Sequence, residues 1–288
     1  MPRYHPAMHT ARDAIDDLTH ADSLRDWLSR HERIFVLTGA GVSTASGIPD
    51  YRDTDGAWKR APPVTYQALV GDAATYRRYW ARSFVGWPMF SQAEPNAAHR
   101  ALAAWPYAER ITALVTQNVD GLHQRAGSRS VIDLHGRLDR VSCLACGTAL
   151  ERHDLQQAML RSNPDWRAGD AVTAPDGDAD IEAAAVARFA PPHCAVCDGM
   201  LKPDVVFYGE NVPRARYAQA LDALHAADAL LVVGSSLMVY SGFRFARMAH
   251  ERGMPVAILN RGTTRADALA TLKLDADCGA ALAAALAA

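Results

Sequence analysis

Five short runs of Val, Ile, Leu and Ala constrain this chain more than any other feature. They are Ile34–Leu37, Ile111–Thr116, Val131–Leu134, Ala229–Gly234 and Val256–Leu259. A continuous apolar run of this length suits a strand covered on both faces. Helical patterns separate the runs, for example Asn96–Trp105 and Arg214–Ala226, and residues 11 to 31 carry apolar positions at helical spacing before the first run. Strand alternating with helix predicts the α/β class, with an open, doubly wound, Rossmann-like parallel sheet. Ligands bind such sheets beyond the C-terminal strand ends. The sequences at those ends are polar: Thr38-Gly39-Ala40-Gly41, Thr116–Gly121, Leu134-His135-Gly136, Gly234-Ser235-Ser236 and Asn260-Arg261-Gly262.

The first of these turns opens "TGAGVSTASGIPDYRD", Thr38 to Asp53. Gly39 and Gly41 fit the dinucleotide fingerprint, but Thr44 stands at its third glycine position. That break disfavours a hydride-transferring dehydrogenase. The glycines let backbone approach a pyrophosphate, and a helix N-terminus after them would favour its charge. A plain turn would use the glycines equally well, but it leaves Asp50-Tyr51-Arg52 unexplained.

Two segments break the alternation. Residues 54 to 95 are rich in Trp, Tyr and Phe and read as a helical insert. Residues 137 to 204 hold four of the five cysteines. Cys143-x-x-Cys146 and Cys194-x-x-Cys197 can each bite one ion from a tight turn, and four thiolates complete a closed, structural zinc shell. Gly147 and Gly199 follow the pairs closely. Disulfides or redox dithiols are the competing reading, disfavoured in a reducing compartment. Between the pairs, Ser162–Glu182 reads as a long Asp/Gly/Ala/Pro loop.

The N-terminal residues lack the apolar core of a signal peptide and carry acids, so a cytoplasmic location is expected. No apolar stretch reaches the roughly 20 residues that span a bilayer. Net charge is −2, giving no basic field for nucleic acid. Lysine occurs only at Lys59, Lys202 and Lys273 while Arg and Ala abound, the bias of a GC-rich bacterial genome.

"GAGVSTASGIPDYR", "TQNVDGLH", "LHG", the two cysteine pairs, "KPDVVFYGE", "VVGSSL" and "LNRG" occur in the order found in sirtuins, the NAD-dependent protein deacylases. The resemblance covers roughly residues 30 to 285. "YWARSFVGWPMF", "APDGD", "FYGENV", "SSLMVYSGFRFA" and Tyr51 in place of the commoner Phe resemble class II, the group containing mitochondrial sirtuin four. The resemblance implies one catalytic domain over 1–288. Its Rossmann-like part would be 30–53, 96–136 and 203–288, with the insert at 54–95 and a zinc-binding module at 137–202.

By resemblance, His135 is the general base, and an imidazole can accept a proton at neutral pH. Asn118 and Asp120 line the nicotinamide pocket beside Gln117. Tyr51 shields the reactive sugar carbon, and Asp50 and Arg52 complete the loop over ribose and phosphate. Gly39, Ala40, Gly41 and Thr44 belong to the first turn. Gly234, Ser235, Ser236, Asn260, Arg261 and Gly262 suit the adenosine ribose and phosphates. Cys278 matches the position beside the adenine, or is a buried small hydrophobe. Val205, Val206, Phe207 and Gly209 offer an extended edge to which an acyl-lysine peptide could add as a strand. His99 and His123 read as structural. The implied reaction yields nicotinamide, free lysine and O-acyl-ADP-ribose. Rival readings are a mono-ADP-ribosyltransferase on the same scaffold and a non-catalytic NAD or ADP-ribose sensor.

Tyr79 and Arg82 lie three apart, on one helix face. Sirtuins that remove acidic acyl groups use a Tyr and an Arg at this spacing, which implies a preference for glutaryl-type over acetyl groups. The alternative packs Tyr79 in the insert's core and leaves Arg82 in solvent or paired with a local acid.

Overall fold

The apolar runs form one parallel sheet. The computed structural model describes residues 11–59, 63–104, 108–168, 172–173 and 179–286. The sheet has the spatial order Leu272–Leu274, Val256–Leu259, Ala229–Val233, Ile34–Thr38, Ile111–Thr116, Val131–Asp133. Every neighbouring pair is parallel. From the first strand the chain builds outward in one direction and then in the other. The order therefore reverses between Ile34–Thr38 and Ala229–Val233, and the crevice of a doubly wound sheet opens there.

Alternation along the strands sorts the two cores. Val36, Leu231 and Leu259 face a layer holding Leu24, Leu28 and Leu282. Phe35, Leu37, Val232 and Ile258 face the opposite layer, with Leu224 and Phe245. The three central strands are buried along their whole length.

Several element bounds differ from the sequence reading. Residues 11–31 give a single helix, Ala11–Ser29. The Asn96–Trp105 pattern gives Ala97–Ala103, capped by Asn96, and Trp105 lies outside the described residues. The edge strand Leu272–Leu274 is additional, because three residues with a central lysine carry no periodic signal. Among the described residues of the insert, Tyr66–Gly71 and Ala73–Ser91 are helical and the part of 54–64 that is described is irregular. No helix follows the first glycine turn, only the short 3-10 turns Ala40–Val42 and Thr44–Ser46, so the expected helix N-terminus is missing there.

The cysteine segment is a separate small sheet. Its strand Gly136–Cys143 pairs antiparallel with Leu201–Val205 and Ala149–Glu151. Gly136 joins this sheet to the large one. Its φ is +82°, and a Cβ there would overlap the Asp204 carbonyl, so glycine is required. In the loop 162–182, Val172–Thr173 pairs with Ala179–Asp180. The "APDGD" motif, residues 174–178, lies outside the described residues.

One contact ties the cysteine module to the insert through a proline. Pro88 lies inside the helix Ala73–Ser91 and has no N–H, so the Phe84 carbonyl loses its helical donor. Gln156 Nε2, on the helix Arg152–Ser162, donates to that carbonyl at 2.9 Å. Arg152 takes the preceding carbonyl, Ser83, at 3.0 Å. It also donates to Gln156 Oε1 at 2.8 Å, and its guanidinium lies 4.9 Å from the Trp87 ring centre. Arg152 is fully enclosed, and that burial lowers its proton affinity to about 10.

Gln156→Met should lower the unfolding free energy by about 1–3 kcal/mol. In a Pro88→Ala background, position 88 regains an N–H for Phe84, and the same change should cost about 1 kcal/mol less. Urea unfolding of the four proteins measures both costs. Equal costs would show that Gln156 does not answer the proline.

Candidate active site

A cavity of about 470 Å³ occupies the crevice where the strand order reverses. It collects residues from five strand ends, the loop 48–53 and the segment after Val205.

His135 lies two residues past the strand Val131–Asp133. Leu134 keeps the ladder by donating to the Thr116 carbonyl at 2.8 Å, which places the His135 ring at the end of the sheet, over the cavity. The ring's Nδ1 lies 3.0 Å from the Gln117 carbonyl, and its Nε2 lies 2.7 Å from Ser241 Oγ. A carbonyl only accepts, so Nδ1 carries the proton and Nε2 accepts from the Ser241 hydroxyl. Burial lowers the proton affinity of the imidazole to about 4, with the Gln117 carbonyl opposing and Arg216 assisting. The ring is therefore neutral at pH 7, with its basic nitrogen bonded to Ser241, and both residues line the cavity.

Asn118 and Asp120 follow the strand Ile111–Thr116. Asn118 Nδ2 donates to the Gly39 carbonyl and to Ser43 Oγ, both at 3.0 Å. Ser43 in turn donates to Asp120 at 2.7 Å, and the Leu122 N–H adds a second bond at 2.9 Å. Burial pushes the Asp120 carboxyl up, against these two donors and Arg137. Ser43 thus locks the amide and the carboxyl into one unit.

Gly39 and Gly41 serve a purpose beyond the expected one. A Cβ on Gly41 would come 3.0 Å from the Gly234 carbonyl, and one on Gly39 would come 2.7 Å from Ser235 Cβ. The first turn is packed backbone to backbone against the Gly234 turn, which has positive φ. Ser235 donates to Gln117 Oε1 at 2.7 Å.

In the loop, Arg52 lies 3.9 Å over the Trp58 ring and donates to the Gly56 carbonyl at 2.7 Å. Tyr51 meets the same ring edge-on, and Trp58 meets Tyr208. Asp50 pairs with Lys59 at 2.5 Å. The strand Leu201–Val205 stops at Val205, and Val206 then donates to the His135 carbonyl at 2.8 Å. Lys202 and Glu210 clamp the two ends of this segment at 3.1 Å.

The cavity wall includes Gly39, Ala40, Gly41, Asp50, Tyr51, Arg52, Gln117, Asn118, Asp120, His135, Val205, Val206, Phe207 and Gly209. Gly234, Ser235, Ser236, Asn260, Arg261 and Tyr79 also line it. Four expected residues do not. Thr44 is exposed and turns back to the Gly41 carbonyl. Gly262 packs against the Thr54 backbone. Cys278 is buried in the core with its thiol 3.6 Å from the Leu259 carbonyl, and burial pushes that thiol up to about 12. Arg82 is absent from the wall although Tyr79 reaches it, ring to ring with Phe207 at 5.3 Å. His99 and His123 are packed away from the cavity. His99 completes the cap of its helix, and His123 bonds Thr38 Oγ1 at 2.9 Å. The sequence reading missed Ser43 and Ser241. Both sit inside quoted motifs, but hydroxyls that close to the turn residues carry no signal of their own.

The four cysteines of the small sheet converge, with all four sulfurs within 4.8 Å of one another. The closest approaches, Cys143 to Cys197 at 3.5 Å and Cys146 to Cys194 at 3.7 Å, link the two pairs. Tetrahedral thiolates about 2.3 Å from a zinc ion lie about 3.8 Å apart, so the cluster fits that ion, whereas a disulfide needs about 2.05 Å. A complete sulfur shell leaves no position for substrate.

This geometry defines a sheet-crevice site with a closed metal module beside it. The Sir2 family matches residues 39–241, and the chain belongs to that family. It is 58% identical over 261 residues to an NAD-dependent protein deacetylase of Xanthomonas axonopodis pv. citri (strain 306), covering 91% of this chain and 89% of that protein. It is 54% identical over 266 residues to the protein of that description from Bordetella bronchiseptica (strain ATCC BAA-588 / NCTC 13252 / RB50), covering 92% and 97%. A solved structure described as "Sir2-p53 peptide-NAD+" is similar with a TM-score of 0.70 at 30% identity, covering 89% of this chain and 93% of that one.

Cys143→Ser should lower bound zinc from one ion per chain and destabilise the small sheet, because metal binding at such sites contributes about 10–16 kcal/mol to local folding. Elemental analysis with circular dichroism measures both. A fully folded, zinc-free variant would exclude a structural metal.

Proposed function

We propose that this chain is an NAD-dependent protein-lysine deacylase. The observation that carries the proposal is the convergence of His135, Asn118 and Asp120 with residues 205–209 in one cavity, in a chain of this family. The residues present fit NAD. The half-buried Asp120 carboxyl and the buried Asn118 amide are set at the crevice of a doubly wound sheet, where dinucleotides bind. When bound, NAD supplies a nicotinamide–ribose bond whose cleavage makes a sugar carbon reactive toward the acyl oxygen.

The chain's own residues do the rest. Asn118 and Asp120 orient the carboxamide end. Asp50, Tyr51 and Arg52 cover the ribose and exclude water, braced by Trp58. Ser235, Ser236, Asn260 and Arg261 take the adenosine side. An acyl-lysine peptide lies along residues 205–209 as an added strand. His135 accepts the ribose hydroxyl proton at Nε2, with Nδ1–H held by the Gln117 carbonyl. The acyl group brings its own nucleophilic oxygen, so no Ser or Cys nucleophile is required.

His135→Ala should cost about 10²–10⁴-fold in deacylation while leaving NAD binding in place. Because burial lowers its proton affinity, the neutral base persists below the ordinary imidazole range. Wild-type kcat/KM should therefore hold through pH 6.5 and fall on the acid side only as the pH approaches about 4. Mass spectrometry of nicotinamide and deacylated peptide across pH measures this. Near-normal turnover in His135→Ala would exclude the assignment, and ADP-ribosylated protein as the main product would favour transfer over deacylation.

The wall around Tyr79 is apolar, with Ile48, Val64, Phe90, Leu138 and Phe207. Arg82 does not border that wall, and we infer from the apolar lining that an uncharged acyl group suits it. Acetyl-lysine peptides should therefore exceed glutaryl ones in kcat/KM, and Arg82→Met should leave the ranking unchanged. A glutaryl preference abolished by Arg82→Met would restore the acidic-acyl reading.

A further inference from the structure

The segment Tyr240-Ser241-Gly242 opens the helix Tyr240–Glu251 and meets the His135–Gln117 pair with two consecutive residues. Ser241 Oγ lies 2.7 Å from His135 Nε2. Gly242 packs on the Gln117 side chain so closely that a Cβ would lie 2.5 Å from Nε2 of Gln117. Gln117 holds His135 Nδ1 through its carbonyl, and Ser235 holds the Gln117 side chain. Both ring nitrogens of His135 are therefore fixed, one from the sheet and one from this helix. The first turn of the helix also brings its positive dipole end to the ring, which disfavours imidazolium.

We propose that Ser241 is a positioning residue for His135, with its hydroxyl switching role with the state of the ring. In the neutral ring Ser241 donates to Nε2 and fixes the ring plane. Once Nε2 holds a proton, the same oxygen accepts Nε2–H. A hydroxyl has one donor and two acceptor sites, so the same oxygen serves both states once its O–H rotates away and leaves the Nε2 lone pair to the substrate hydroxyl. The exchange needs no further reactant, because the proton that reaches Nε2 is the one His135 takes from the substrate hydroxyl. The proposal rests on His135 being the general base.

The charged groups around the ring come from several elements. Arg216, on the helix Arg214–Ala226, acts on it and lies 3.7 Å from Asp204 of the strand Leu201–Val205. Asp133, on the strand that leads to His135, is held by Gln124. Asp120 and Arg244 line the same cavity. Ser241→Ala alters the charge of none of them.

The test uses the full-length protein labelled with ¹⁵N-histidine. In the cofactor-free wild type, the His135 Nε2 resonance should show an acceptor hydrogen bond and Nδ1 a retained proton. In Ser241→Ala the Nε2 resonance should move and Nδ1–H should stay. The titration of the ring should shift to lower pH, because the bond lost from the imidazolium is charge-assisted and stronger than the one lost from the neutral ring. Ser241→Thr, which keeps the hydroxyl, should restore the wild-type signals. In turnover, Ser241→Ala should lose about 3- to 10-fold in kcat with KM for NAD little changed, and Ser241→Thr should recover it. Unchanged His135 resonances and titration in Ser241→Ala would overturn the proposal. His135→Ala, run in parallel, separates the two ideas: if it stays active the general-base reading fails, and if it is inactive while Ser241→Ala matches wild type only the Ser241 proposal fails.

Discussion

The hydrogen bond from the Val206 N–H to the His135 carbonyl, 2.8 Å, joins the two halves of the site. On one side of it stands the residue whose ring reaches the crevice. On the other runs the segment that borders the same cavity down to Gly209. The backbone can make this junction only because Gly136 takes a positive φ and yields its Cβ space to the Asp204 carbonyl. The large sheet and the small sheet therefore meet at one fixed register. A candidate base and a candidate peptide edge placed by the same crossing cannot drift apart independently, which matters because a misplacement of about 1 Å in a reacting geometry costs on the order of 10²-fold.

The cysteine module contributes to this geometry without bringing its four cysteines to the cavity. Its strand Leu201–Val205 continues into residues 206–209, and its helix Arg152–Ser162 supplies Arg152 and Gln156 to the proline-containing helix of the insert. That helix carries Tyr79 and Phe90 to the cavity wall. A closed metal shell can therefore shape this side of the site while supplying no chemistry. The energetic logic is that a segment with a small core of its own gains rigidity from four thiolate bonds and passes it on through packing.

Much of this was legible in the chain. Five apolar runs marked the parallel sheet because fully buried strands need no alternation, and strand-end polarity marked the crevice. The cysteine spacing announced the four-sulfur cluster because local turns bring each pair together. What the sequence hid was set by tertiary packing. Leu272–Leu274 is a strand only because Val256–Leu259 lies beside it. Gly39 and Gly41 read as a cradle for phosphate, yet their missing side chains make room for the Gly234 turn, 195 and 193 residues later in the chain. The Tyr79–Arg82 spacing placed both on one helix face, and of the two Tyr79 borders the cavity, ring to ring with Phe207. Ser241 could not be tied to His135 from sequence, since 106 residues separate them.

Among the described residues four histidines, His31, His99, His123 and His135, have proton affinities lowered by burial, and a comparison of the last three shows what singles out one of them. Burial takes His123 down to about 3 and His99 to about 4, as far as or farther than His135. Their rings lie against each other, centroids 4.8 Å apart, between the helix Ala97–Ala103 and the Thr38 hydroxyl. Neither borders the cavity, so their neutrality serves packing and helix capping. His135 has the same neutrality but lines the cavity, with its basic nitrogen bonded to Ser241 on the same wall. A lowered proton affinity is thus common to buried imidazoles in this chain, and it is position at the strand end, fixed by Gly136 and the Gln117 carbonyl, that converts one of them into a candidate base.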